Sequence, residues 1–121
     1  AATHAYDRVE ILLDEDMIAE AVRAAGETGV HAGGSGTLMR LAGAAAASHS
    51  DWVIRVALAH ANSIMDGGRS GHYQEAAQWL EKALQAFFAA DREEEWRALL
   101  GRLIESHRRK HKLRPLLEAL L

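Results

Sequence analysis

From Tyr73 to Phe88 the apolar residues return every three or four positions, as Tyr73, Ala76, Ala77, Leu80, Ala83, Leu84, Phe87 and Phe88. Gln74, Glu75, Gln78, Glu81, Lys82 and Gln85 lie between them. That is the helical period, so residues 71–91 predict an amphipathic helix that must cover one face with another element.

The period resumes downstream, where Trp96, Leu99, Leu100, Leu103, Ile104 and His107 share a face of a second helix. Asp91 is placed to cap its start, and Glu93, Glu94 and Glu95 suit the positive end of its dipole. So short a connection predicts an antiparallel helix hairpin. Pro115, the single proline, is expected to end this second helix, because a proline pushes the residue before it out of the helical region. It also suits the first turn of a short helix over 115–120. Leu116, Leu117, Leu120 and Leu121 are expected to fold back onto the hairpin.

Upstream, Ser50 or Asp51 is placed to cap a helix through Met65 with Val53, Val56, Ala57, His60, Ala61 and Ile64 as its stripe. Asp66-Gly67-Gly68 is its stop. Residues 37–47 read as an Ala-rich helix around Leu38, Leu41, Ala42 and Ala45. Residues 4–13 and 16–25 read as two shorter ones. Between them, residues 26–36 hold five glycines and form the loop. There Gly33-Gly34-Ser35-Gly36 fits either a natural loop or an engineered joint. The expected fold is all-α, about seven helices in antiparallel hairpins, within one domain over 1–121. Its parts are an N-terminal pair (1–25), the Gly-rich loop (26–36), and the main hairpins with a short final helix (37–121).

Composition agrees with the periodicity. Apolar residues make up 49% of 121, enough for a core, and Ala and Leu, both good helix formers, dominate them. The chain has no cysteine, which excludes disulfides, thiolate metal sites and cysteine nucleophiles and fits a reducing cytoplasm. No apolar run approaches the ~18–20 residues that span a bilayer. The chain opens on Ala1 without a charged-then-apolar leader, and so reads as a processed or excised piece.

Charge is unevenly placed. Asp7, Glu10, Asp14, Glu15, Asp16, Glu20 and Glu27 face only Arg8 and Arg23 in residues 1–27. In residues 102–114, Arg102, Arg108, Arg109, Lys110, Lys112 and Arg114 face Glu105 alone. Such a run can neutralise phosphates or meet an acidic protein surface. It also matches what a helix C-terminus favours with no partner present. No aromatic residues interleave it, as a single-strand binder would require. These six cations, with Trp52 as a partly exposed anchor at a helix start, are the candidate partner-binding residues.

No catalytic or metal constellation emerges. His107 and His111 stand four apart, but Arg108, Arg109 and Lys110 lie between them and no third ligand is evident. His60, on an apolar face, reads as a hydrogen-bonded core histidine. The Asp14–Asp16 cluster lacks the alternating ligands and glycine of a calcium loop. Ser48, Ser50, Ser63 and Ser70 have no nucleophile-elbow context, and the Gly-rich loop lacks the lysine and spacing of a phosphate loop. The chain therefore reads as non-enzymatic, and no cofactor is expected.

Two resemblances sharpen this. Gly71-His72-Tyr73-Gln74-Glu75-Ala76-Ala77 followed by Leu80-Glu81-Lys82-Ala83-Leu84 resembles the second helix of a tetratricopeptide repeat. The preceding helix lacks the repeat's Leu-Gly and Tyr positions, and the period is not sustained, so the likeness is to a degenerate, right-handed helical array. Across residues 50–121, Trp52-Val53-Ile54-Arg55-Val56-Ala57, Ser63-Ile64-Met65-Asp66-Gly67-Gly68, the set His72, Tyr73, Ala76, Ala77, Trp79 and Leu80, Glu95-Trp96-Arg97-Ala98 and the closing residues 107–120 are similar to the C-terminal helical region of bacterial SWIM zinc-finger proteins. That family's zinc finger uses three cysteines and a histidine, and those cysteines are missing here, so zinc binding is carried over to no residue. The resemblance implies a helical interaction or scaffold module of a larger protein, whose partners are other proteins, other domains of the parent chain, or a second copy. The alternative is an accessory nucleic-acid-binding domain acting through residues 102–114.

Overall fold

The computed structural model describes residues 5–29, 35–68 and 70–121. They form seven α-helices: α1 (Ala5–Asp14), α2 (Ile18–Ala25), α3 (Ser35–Ala45), α4 (Ser50–Asp66), α5 (Tyr73–Ala89), α6 (Glu93–Ser106) and α7 (Arg114–Glu118), with a short 3-10 turn at Ser70–His72. The described residues contain no strand. The Gly33-Gly34 pair and the expected helix start at His4 lie outside them.

The helices pack as a zigzag. α1, α3, α5 and α7 touch one another in succession, while α2, α4 and α6 each lie against the two odd-numbered helices that flank them in sequence. The most extensive of these contacts joins α4 to α5. Ala57 and Ala61 of α4 and Ala76, Ala83 and Ala86 of α5 are fully buried, as are Val53, Met65, Trp79 and Leu80. Small residues on both helices let the backbones approach while Trp79 and Leu80 fill the volume beside them. Trp79, outside the stripe read from the sequence, is thus fully buried, whereas Phe88, expected within it, is 44% exposed.

Two helix ends differ from expectation for one reason. Asp91 does not cap α6. It has φ +62 and stands just past the end of α5, where its own N–H donates to Phe88 O (3.1 Å) and that of Arg92 to Phe87 O (2.8 Å). This is a Schellman terminator with aspartate in the place glycine usually takes. Asp16 (φ +59) ends α1 in the same way, with Met17 N donating to Leu12 O. Short polar side chains tolerate the left-handed region better than most, which explains the substitution. Nor do Ser50 and Asp51 cap α4: the helix begins at Ser50 after His49, and Ser50 Oγ donates back to Ala46 O. The stop at Asp66-Gly67-Gly68 is as expected, Gly68 taking φ +66.

The loop after α2 is pinned by close packing. Gly29 has φ +74, and a Cβ there would lie 2.7 Å from Leu38 Cδ1 on α3. At the other end of the chain Leu117 is fully buried and Leu116 and Leu120 partly so, but Leu121 is 84% exposed and does not fold back.

Leu80 of α5 is fully buried. Leu80→Ala is expected to cost ~2–5 kcal/mol in chemical denaturation, as truncation of a buried leucine does. A cost below about 0.5 kcal/mol would show that the stripe does not form the core.

Candidate functional site

The basic run does not lie on a helix end. α6 stops at Ser106, eight residues before Arg114, and Pro115 falls in the first turn of α7 instead of ending α6. Between the two helices the chain makes successive turns, Lys110 N donating to His107 O and Arg114 N to Lys110 O. His107 and Leu113 are both buried and anchor the two ends of this basic turn. The helix-dipole account of the cations is therefore corrected: α6 has no basic residue in its last turn.

The six cations divide. Arg108 Nη1 pairs with Glu105 at 2.8 Å and Arg114 Nε with Glu118 at 2.6 Å. Lys110 Nζ donates to Met65 O at 2.6 Å, from a half-buried position, and so caps the end of α4 from across the fold. Arg102, Arg109 and Lys112 are exposed and make no ion pair or side-chain hydrogen bond among the described residues. Only these three remain available for an external anion. Of these, Arg109 lines a polar hollow of about 410 Å³ formed by residues 105–110.

His107 and His111 are not a ligand pair. His107 is buried with Nε2 3.8 Å from Asp66 Oδ1, while His111 is exposed in the turn. The helical spacing that would have joined them ends before either is reached. His60 also departs from expectation: it is half-buried and held by stacking on Trp79, ring centroids 4.7 Å apart and 18° from parallel. Burial lowers its pKa from the ordinary value, and Glu75 opposes that shift.

Trp52 is not an exposed anchor. It is 7% exposed, and its indole N–H donates to Gly26 O at 3.0 Å, tying α4 to the end of α2. A second hollow, of about 710 Å³, lies beside it, where Arg92 joins Asp51 (2.8 Å) and Glu95 (2.7 Å) and sits over the Phe87 ring. The guanidinium's carboxylate partners and aromatic face are already supplied from within the chain.

One feature has no counterpart among the expected sites. Leu84 and Phe88 of α5, Trp96 and Leu100 of α6, and Leu120 and Leu121 enclose an apolar groove of about 680 Å³. Gln85 and Arg97 supply the polar part of its wall. Arg97 is well exposed, and its contact with Glu93 is long, at 3.9 Å. The signal for this groove was present in the sequence as apolar surplus: the stripes of α5 and α6 are wider than one partner can cover.

No family model, curated protein or solved structure matches the chain. None of the described helices is long and apolar enough to cross a membrane.

Lys110→Met is expected to lower stability by about 1–2 kcal/mol, since it removes a charged donor from a half-buried helix carbonyl. Lys112→Met is expected to change it by less than about 0.5 kcal/mol. Thermal denaturation of the two variants side by side checks this; equal effects would show that Lys110 is no more structural than its neighbour.

Proposed function

We propose that this chain is a non-enzymatic helical interaction module whose apolar groove receives an amphipathic helix with acidic flanks, carried by a protein partner or by another domain of the same parent chain. The groove itself carries the proposal. Its apolar walls offer anchors for side chains spaced i, i+3 or i+4 and i+7. Arg97, the charged residue in its wall, is held only loosely, and that selects acidic flanks. Exposed Phe88 contributes an aromatic rim of the kind that concentrates binding energy.

The zigzag of helices supports the broader reading. A ribbon in which alternate helices touch in succession is how helical-repeat modules build extended binding faces, and it fits the tetratricopeptide-like resemblance. The SWIM-family likeness of residues 50–121 supports reading the parent as a SWIM-type zinc-finger protein of the cytoplasm, with this piece as its scaffold.

The second reading, nucleic-acid binding, rests on Arg102, Arg109 and Lys112, the three cations of the basic run left without partners among the described residues. Such binding would be phosphate-led and indifferent to sequence.

A displayed library of amphipathic helical peptides, selected on this chain, separates the two. The groove reading expects enriched binders with acidic flanks whose affinity falls at least tenfold on Phe88→Asp and on Arg97→Glu, with thermal stability little changed. Absence of binders, or binders insensitive to both variants, would contradict it. Fluorescence anisotropy with duplex DNA at low salt tests the second reading, whose signal must vanish when Arg102, Arg109 and Lys112 are neutralised together.

A further inference from the structure

The geometry points to a proton-operated latch: neutral His107, sealed against the end of α4, holds the basic turn closed, and protonation of its ring releases that turn.

Three observations build the latch. His107 is 6% exposed, and its Nδ1 is shut off from solvent with no hydrogen-bond partner. Its Nε2 lies 3.8 Å from Asp66 Oδ1, at the last residue of α4. Beside it, Lys110 Nζ caps Met65 O at 2.6 Å, so ring and ammonium close on the same helix end. The charged groups that face the ring are thus Asp66 from α4 and Lys110 from its own turn.

The ring's two nitrogens decide which protonation state the closed form accepts. A neutral imidazole with its proton on Nε2 turns a donor toward Asp66 and leaves only a lone pair at the sealed Nδ1. A protonated ring has a second N–H at Nδ1, with nothing to accept it, and leaving a buried charged donor unmet is costly. Asp66 compensates poorly. It is 72% exposed, and its oxygen is beyond hydrogen-bond distance. The Lys110 ammonium opposes the added charge directly. Burial is the main cause of a pKa below the ordinary 6.5, with Lys110 adding to the lowering and Asp66 acting against it.

The direction of the pH effect follows. Above 6.5 the ring is neutral whether the turn is closed or open, and the latch is at full strength. As pH falls below that value the open form takes up the proton first, so closure weakens, and the loss levels off once pH passes the closed form's own pKa. Opening withdraws Lys110 from Met65 O and adds its ammonium and the imidazolium to Arg109 and Lys112. Acid therefore makes this surface both looser and more positive. None of this depends on the apolar groove.

Two-dimensional NMR of the imidazole signals from pH 7.5 to 5, with amide protection factors over residues 107–114, tests the latch. His107 is expected to titrate below 6.5, and protection of the turn to fall with it by up to about tenfold per pH unit, the limit for one linked proton. Amides of α4 and α5 should keep their protection. Asp66→Asn should move the His107 titration lower still, because it removes the one group that favours the charged ring. In His107→Gln the protection of the turn, whatever its level, should no longer vary with pH, while protected α4 and α5 amides report that the variant is folded. Titration of His107 at or above 6.5, unchanged protection of the turn across the range, or persistent pH dependence in His107→Gln would each overturn the proposal.

Discussion

The packing of α5 on α4 is the contact on which the other helices depend. It is made close by alanines at the seam, Ala57 and Ala61 against Ala76, Ala83 and Ala86, and made stable by the large side chains beside them. α5 then serves as the axis for the rest. α3 meets it where Gly43 leaves room for the stem of Lys82, since a Cβ at Gly43 would lie 3.3 Å from Lys82 Nζ. α6 joins through Phe87 and Trp96, whose rings sit 6.0 Å apart, and α7 inserts Leu117. α4 in turn holds the two longest-range polar ties, Met65 to Lys110 and Asp51 to Arg92, and a third from Trp52 to Gly26. The apolar groove is a consequence of this design: α5 has more apolar perimeter than α3, α4, α6 and α7 together cover.

The helices were legible because each must repeat its apolar residues at helical spacing to reach the core, and seven such stretches can be read directly. Their ends were less so. Asp91 and Asp16 look like residues that start helices, and only the left-handed backbone at each shows that they finish one. Pro115 was expected to terminate α6, yet α6 ends well before it. His107 and Leu113 are both buried but stand six apart. A continuous helix would turn them roughly 120° away from each other, so the chain must leave the helix for both to reach the core.

The candidate site was legible as a charge run and illegible as an arrangement. Six cations in thirteen residues say that the segment is positive. They do not say that Lys110 reaches a carbonyl 45 positions earlier, or that Arg108 and Arg114 have their own carboxylates. Trp52 misled for the same reason: its partner, Gly26, lies 26 positions upstream, across the glycine-rich loop. The groove was missed because its walls come from two stripes, each of which reads as core by itself.

Native-state hydrogen exchange at increasing denaturant measures the dependence on α4 and α5 most directly. If the other helices are attached to this pair, amides along the buried faces of α4 and α5 will exchange only through global unfolding and share the highest opening free energy. Those of α1, α2 and α7 will open at lower cost while the pair stays protected. If amides of α4 or α5 instead open before those of α1 and α2, the α4–α5 contact is not what the structure is built on.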